Sequence, residues 1–156
     1  MNHQTDPRDA MVRLPAGLPD FAGCWRLSRR ITDRSGGQSG HAEGRVEFLR
    51  DGAALRYCET LTLYLPGQGP ISGTRNYVWL PDPVGIAVTF DDGRPFHRIA
   101  LGQGAPRDVH DCGADRYAVT YDFADWPVWA VTWEVTGPRK DYRMETLFVR
   151  EKLREG

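Results

Sequence analysis

The feature that most constrains this chain is an alternation of apolar and polar residues that recurs along its length. In segment 54–65, Leu55 and Tyr57 begin a series of mainly apolar residues at odd positions, and the even positions are mainly polar. Segments 115–123 and 128–136 show the same period of two. Since successive side chains of a strand point to opposite faces, each segment is predicted to be a strand with one buried face.

Turn signals separate these segments from other stretches with strand composition. Clusters such as "PGQGP", "DDG" and "GQGAP" mark the turns. No amphipathic helix longer than about three turns is predicted, and "LPDF" at 18–21 suits one short helical turn. Short, closely spaced strands are typical of an all-β sandwich or barrel. The further predicted strands are 23–32, 42–50, 73–80, 84–91, 96–101, 107–112 and 141–151.

The length and charge of the chain limit its class. A chain of 156 residues fits one domain with a sizeable core. Its 20 lysines and arginines are interspersed with 21 aspartates and glutamates, which argues against nucleic acid as the main partner. No apolar run suits a bilayer span and no signal peptide is recognised, so we expect no membrane association and a cytoplasmic location. Residues 1–16 are predicted to be a flexible arm and residues 17–156 the folded domain, as a monomer or a homodimer.

The start of the first long strand resembles the opening of lipocalins and related barrels. The stretch "DFAGCW" places Gly23 two residues before Trp25, directly after the predicted helical turn. In such barrels a tryptophan packs under the barrel and an arginine from a late strand lies across it. The resemblance therefore implies a cation–π contact between Arg150, near the end of the last predicted strand, and Trp25.

A second resemblance extends over nearly the whole chain after the N-terminal arm. The stretches "FDDGRPFH", "HDCGADRYAVTYDF" and "WEVTGPRKDY" follow one another in this order. They resemble an uncharacterised bacterial family of domains of unknown function, with the motifs F-x-DGR-x-FH, H-x-C-x-x-D-x-Y and GPRKDY. The resemblance implies a calycin-like barrel of the lipocalin or fatty-acid-binding-protein type. The predicted fold is thus all-β: a single antiparallel up-and-down barrel of about 8–10 strands with a short N-terminal helical turn. The family supplies no activity.

The stretch "FDDGRPFH" decides which way His97 points. If Asp92 and Gly93 form a two-residue hairpin turn, His97 shares a face with Val88 and Ile99 and points into the barrel. A three-residue loop would shift the register by one residue and turn His97 outward. The two-residue turn pairs Asp91 with Arg94, Phe90 with Pro95, Thr89 with Phe96 and Val88 with His97.

Other polar side chains are also predicted to point inward. Glu59 lies two residues after Tyr57, and Arg75 two residues before Tyr77, so each is predicted to share a strand face with that tyrosine. One interpretation is an internal salt bridge between Glu59 and Arg75, because buried charges are usually paired. The alternative is a pocket with convergent polar groups, since a closed barrel of this size has room for one small ligand.

Two further motifs carry polar groups, and each allows two interpretations. His110 and Cys112 in "HDCGAD" would share a face, but a lone H-x-C pattern is not specific for a metal, and no metal site is predicted. Arg139 and Lys140 in "GPRKDY" stand at a predicted turn, where they form either a solvated turn or an anion clamp.

These residues support three hypotheses. The first is a binding barrel for a small, partly apolar, anionic molecule. The second is an isomerase, lyase or hydrolase in which His97 or His110 acts as a general base oriented by Glu59 or Asp115. The third is a barrel that holds haem through one histidine; no cofactor is identified from the sequence itself. The predicted ligand-binding residues are Tyr57, Glu59, Arg75, Tyr77, His97, Tyr117, Trp133, Arg139, Lys140 and Tyr142.

Overall fold

A computed structural model describes residues 13–152 and contains ten strands and one short 3₁₀ turn, Leu18–Phe21. All ten predicted strand segments are confirmed, and so is the short turn before them. The strands are β1 (Gly23–Asp33), β2 (Ser39–Asp51), β3 (Ala54–Tyr64), β4 (Ile71–Asp82), β5 (Gly85–Phe90), β6 (Pro95–Ala100), β7 (Arg107–Cys112), β8 (Asp115–Asp122), β9 (Trp129–Gly137) and β10 (Lys140–Arg150).

The strands form one antiparallel sheet that curls into a nearly closed barrel. Each strand pairs with its neighbours in sequence, except that β6 and β7 do not pair with each other, and β1 also pairs with β10, so the order is β6-β5-β4-β3-β2-β1-β10-β9-β8-β7. The seam lies between β6 and β7, where a carboxylate helps to join the two edges. The Arg98 backbone N–H on β6 donates to Asp108 Oδ2 on β7 at 2.6 Å. The predicted all-β, up-and-down barrel is confirmed.

The predicted N-terminal arm lies mostly outside the described residues. Of the part that is described, residues 13–16, Leu14 packs against the core and Pro15 is buried. Among residues 13–152, no helix is long and apolar enough to cross a membrane.

The end of the barrel where β1 begins and β10 ends, here called the lower end, is closed by aromatic packing. Trp25 is fully buried and its indole N–H donates to the Phe21 carbonyl at 2.9 Å. The Arg150 guanidinium lies 4.1 Å from the centre of the Trp25 ring and donates to the carbonyls of Ala22 and Asp20. The predicted contact between Arg150 and Trp25 is therefore confirmed.

More rings fill the space above Trp25 and form the floor of the barrel interior. Phe21 contacts Phe48, Phe123 and Trp129 at centroid distances of 5.4 to 6.1 Å. Trp129 stacks on Phe148 with the ring centroids 3.9 Å apart. Tilted and stacked ring pairs at these distances add to the stabilisation from buried area alone. The lower end is thus a well-packed core.

The hairpin between β5 and β6 corrects the predicted register. The predicted pairs Asp91–Arg94, Phe90–Pro95 and Thr89–Phe96 are wrong. Phe90 exchanges backbone hydrogen bonds around a three-residue loop, donating to the Arg94 carbonyl and accepting from Gly93 N–H. Gly93 has a φ of 89°, the left-handed conformation such loops need at their last residue.

A β-bulge then restores the predicted alignment further along the hairpin. Thr89 pairs with Pro95, but Val88 pairs with His97, so Phe96 is an extra residue in β6. The longer loop and the bulge each shift the register by one residue and cancel. The pair Val88–His97 is confirmed, and His97 points inward although the loop has three residues.

Candidate functional site

The opposite end of the barrel, here called the upper end, contains a cavity of about 490 Å³. It is the end with the hairpin turns at 91–94 and 138–139. The cavity extends from the ring of Trp129 on its floor to the exposed residues Arg75 and Arg94 at its mouth. Nine of the sequence-predicted candidates line it: Tyr57, Glu59, Arg75, Tyr77, His97, His110, Tyr117, Trp133 and Tyr142.

A buried ion pair crosses the wall of the cavity. Arg29 binds both oxygens of Glu59, with N–O distances of 2.8 and 3.1 Å, and Glu59 is only 1% exposed. The Tyr57 hydroxyl donates to Glu59 Oε1 at 2.6 Å, and Arg29 Nε donates to the Thr146 hydroxyl at 2.8 Å. Such a bidentate, charge-assisted arrangement is the strong form of an ion pair. Both charges are therefore matched inside the protein.

The surroundings of this pair shift the pKa values of its members. Burial alone would lower the pKa of Arg29, but the hydrogen bond and negative charge of Glu59 raise it above its ordinary value. Burial, together with the charge of Glu59, raises the pKa of the Tyr57 hydroxyl well above its usual range. Arg29 is thus charged and Tyr57 protonated at neutral pH.

The predicted salt bridge between Glu59 and Arg75 is wrong. The two residues are register partners on β3 and β4, but the carboxylate is taken by Arg29 from β1. Small residues on the intervening strand leave room for this, because Ala42 is the partner of Arg29 on β2 and Gly44 follows on the same face. A side chain at Gly44 would collide with the backbone of β3. Arg75 is exposed, and no salt bridge joins it to another of residues 13–152.

A second buried polar pair lies in the wall of the same cavity. His97 Nε2 and the Tyr121 hydroxyl are 2.8 Å apart, and His97 is 7% exposed. Burial, with a smaller contribution from the charge of His110, lowers the pKa of His97 to about 4 against the opposing effect of Asp108. His97 is therefore a neutral imidazole at pH 7.

Two buried nitrogen atoms have no hydrogen-bond partner within residues 13–152. They are Nδ1 of His97 and Nε1 of Trp129, and both residues line the cavity. A buried polar atom without a partner costs about 1 to 3 kcal/mol. The cavity wall thus includes two residues with a buried nitrogen atom that no group of residues 13–152 satisfies.

Aromatic rings form the wall above His97. The bulged residue Phe96 stacks on Trp133 at 5.1 Å and 10°, and on Phe90 at 4.5 Å and 21°. The His110 ring packs edge-on against Phe96 at 5.2 Å. Because of the bulge, Phe96 and His97 both line the cavity although they are consecutive. The result is a wall of parallel rings suited to a flat molecule.

The predicted acid–base arrangements are not formed among the described residues. Glu59 is bound by Arg29 and Tyr57, and the partner of His97 is Tyr121. Asp115 does not line the cavity. Instead its carboxylate lies 3.1 Å from the ammonium group of Lys140.

The two basic residues of "GPRKDY" do not line the cavity. Arg139 is exposed in the turn between β9 and β10. Lys140 donates to the Tyr117 hydroxyl at 2.8 Å, and this bond, with the pairing to Asp115, raises the pKa of the ammonium group. Lys140 therefore supports Tyr117 of the cavity wall from outside.

Metal-ligating side chains do not converge in the part of the chain that the structure describes. No group of three or more histidines, cysteines, aspartates or glutamates within residues 13–152 is arranged to hold an ion.

Comparison with known proteins gives a family and a fold. The model of a family of unknown function, DUF6314, matches residues 21–150. The chain belongs to DUF6314. No curated protein matches its sequence. Among solved structures, it is similar to an S-type phycobiliprotein lyase from Guillardia theta, with a TM-score of 0.58 and 12% identity over 87% of this chain and 91% of that one. This likeness supports the calycin-like barrel.

Several residues that line the cavity of this DUF6314 chain are not among those predicted from the sequence. Arg29 is the most important. The period-two pattern could have identified it, because Arg29 lies at an odd position of β1 and so shares a face with Trp25, Leu27 and Ile31. Tyr121 shares its face with Tyr117 in the same way. Phe96 carries no such signal, because only the bulge turns it inward.

Proposed function

We propose that the barrel binds a small, partly apolar, anionic molecule in its upper cavity. One observation carries the proposal: a cavity of about 490 Å³, lined by aromatic rings, has at its mouth the guanidinium of Arg75, which forms no ion pair within residues 13–152. A well-packed core would fill such a space. A ligand with an apolar part and an anionic group would fill the cavity and pair with Arg75.

The walls favour a ligand with a flat, apolar part. Phe96, Trp133 and Phe90 stack with small interplanar angles and line the cavity together. Binding pockets for small molecules are mostly apolar with a few convergent polar groups, which is the composition here. A flat ring system would extend the existing stack and bury apolar surface at about 25 cal/mol per Å².

The proposed negative charge of the ligand rests on the cations near the cavity and on whether each already has an ion-pair partner among residues 13–152. Arg29 is neutralised by Glu59, Lys140 pairs with Asp115, and Arg94 pairs with Asp92 at 2.7 Å. Arg75 lines the cavity at its mouth and forms no ion pair within residues 13–152. A carboxylate in the forked geometry that arginine prefers would complete the site.

The fold comparison supports the barrel and does not identify the ligand. The similar structure is that of a phycobiliprotein lyase, and at 12% identity the likeness is one of fold. Related folds host unrelated chemistry, so the proposed ligand class rests on the side chains of this chain alone.

Binding can be tested with 2-naphthylacetate, which carries a flat ring and one carboxylate. Titration calorimetry should show binding to the wild-type protein and a loss of about tenfold in Arg75→Gln, since a charge-assisted hydrogen bond contributes about 1.5 to 3 kcal/mol. Arg139→Gln removes an exposed arginine outside the cavity and should leave binding unchanged. Neutral 2-naphthylethanol should not distinguish the variants.

The natural ligand can be sought by native mass spectrometry of protein purified from its host. A bound molecule with a carboxylate or similar anion, lost from Arg75→Gln, would support the proposal. The proposal is wrong if the protein carries no small molecule and the naphthyl probe binds wild type and Arg75→Gln equally.

A further inference from the structure

A second, smaller cavity lies beside the first, inside the barrel between β1 and β4. Its volume is about 170 Å³. Its chemistry differs from that of the aromatic cavity, because it contains no aromatic side chain. Its apolar walls come mainly from the aliphatic residues Ile31, Leu61, Leu63 and Ile71.

The two cavities share part of their walls. Arg29, Arg75 and Met144 line both of them, so the two cavities meet at these side chains, and the smaller one is here called the side chamber. Arg29 is already paired with Glu59. Arg75 forms no ion pair within residues 13–152, and it stands at the junction of an aromatic chamber and an aliphatic one.

Part of the side chamber exists because Gly73 has no side chain, although the space there would accept one. Gly73 lies in its wall, and a β carbon there would be 3.6 Å from Leu61 Cδ1, an ordinary contact. A β carbon would therefore fit at this position, and the hollow is not needed to avoid a clash there. At the rim, Ile71 is 42% exposed, which leaves apolar surface in water at the entrance.

We propose that this side chamber holds an alkyl arm of the same ligand whose carboxylate binds Arg75 and whose flat part enters the aromatic cavity. The inference rests on the proposed function and specifies its ligand class. The ligand is a carboxylate that bears both a flat ring system and a short alkyl chain near the acid group. Each chamber then receives the part of the ligand that matches its walls.

Two probes that differ only in the alkyl arm separate this inference from the simpler one. They are 2-naphthylacetate and 2-(2-naphthyl)octanoate, which carries a hexyl chain on the carbon next to the carboxylate. Burial of the apolar hexyl chain in the side chamber favours binding, and a tenfold gain in affinity corresponds to about 1.4 kcal/mol. We expect the octanoate to bind the wild-type protein at least tenfold more tightly than the acetate.

The variant Gly73→Leu fills the side chamber and should reduce this tenfold advantage to less than about threefold, with the affinity for the acetate unchanged. Asn76→Leu adds the same side chain at an exposed site on β4 and should keep the full advantage. Leu61→Phe, which also fills the chamber, provides a second test if Gly73→Leu fails to fold.

The outcomes distinguish the two proposals. If neither probe binds the wild-type protein, the proposed function fails and the inference fails with it. If the acetate binds but the hexyl chain brings no gain, or if the gain survives in the folded filling variants, the side chamber does not hold an alkyl arm and only this inference is overturned.

Discussion

The two ends of this barrel use the same kinds of side chain to opposite effect. At the lower end, the Trp25 indole donates to a main-chain carbonyl and the Arg150 guanidinium donates to two more. In the upper cavity, the buried His97 Nδ1 has no partner among residues 13–152, and Arg75 has no ion pair there. Aromatic content therefore does not separate a packed core from an open cavity. What separates them is whether the arginine at that end has partners: Arg150 donates to two carbonyls, and Arg75 has no ion pair among residues 13–152.

The largest effect should come from opening the lower end. Trp25→Ala removes a fully buried ring from the aromatic packing of the lower end and should lower the free energy of unfolding by about 4 kcal/mol. Trp133→Ala removes a half-buried ring from the cavity wall, so it should cost only about 1 to 2 kcal/mol. Urea unfolding of the two variants measures the difference.

Ligand binding should respond in the reverse order. The folded fraction of Trp25→Ala should bind 2-naphthylacetate as the wild type does, while Trp133→Ala should bind it more weakly. Equal stability losses in the two variants, together with equal binding, would show that the contrast between the two ends is wrong.

The next largest effect concerns the buried ion pair. Glu59→Gln leaves Arg29 as an uncompensated charge with 9% of its side chain exposed, and breaking such a buried pair costs about 3 to 5 kcal/mol. Glu151→Gln breaks an exposed pair with Arg45 at 2.7 Å, and because water screens such a pair the stability should stay close to that of the wild type. Chemical unfolding at pH 7 compares the two.

The pair can also be replaced as a unit. In Arg29→Met/Glu59→Leu both charges are removed, so most of the stability lost in Glu59→Gln should return. If Glu59→Gln is as mild as Glu151→Gln, the pair is solvated and the cavity wall is not the low-dielectric environment inferred here.

The sequence predicts the positions and order of the strands better than the contacts of the side chains inside the barrel. Period-two alternation and turn clusters locate every strand, because each strand has one buried face and ends at residues that favour turns. The contact of Arg150 with Trp25 is also predicted, since Gly23-x-Trp25 marks the start of a barrel of known type. Such features depend on local pattern and strand order.

The partners of the polar side chains could not be predicted in the same way. The pairing of Glu59 with Arg29 depends on two small residues of β2, which let a long side chain reach over that strand. The inward position of His97 depends on a three-residue loop and a bulge at Phe96 that cancel. Such details arise from three-dimensional packing. The period-two pattern alone would place consecutive residues such as Phe96 and His97 on opposite faces of the strand, although both line the cavity.

The smallest of the three effects is a pH dependence that belongs to the upper cavity. In the folded protein the pKa of His97 is lowered to about 4 by burial, and in the unfolded chain it is about 6.5. The unfolded state therefore binds more protons between these values, so the stability from this group is complete above pH 6.5 and falls as the pH falls towards 4. The difference corresponds to about 3 kcal/mol in all and about 2 kcal/mol at pH 5.

Comparison of two histidine variants isolates this contribution from that of the carboxylates. The free energy of unfolding, measured in urea at pH 7.5 and pH 5, should fall by about 2 kcal/mol less in His97→Gln than in the wild type. His41 is exposed and stacks on Tyr64 at the surface, so His41→Gln should retain the wild-type pH dependence. The effect requires a histidine that stays neutral because its surroundings exclude water and hold it against Tyr121. A wild-type slope in His97→Gln would mean that His97 takes up its proton as freely as in the unfolded chain, and the upper cavity would then be a hydrated cleft in place of a buried site.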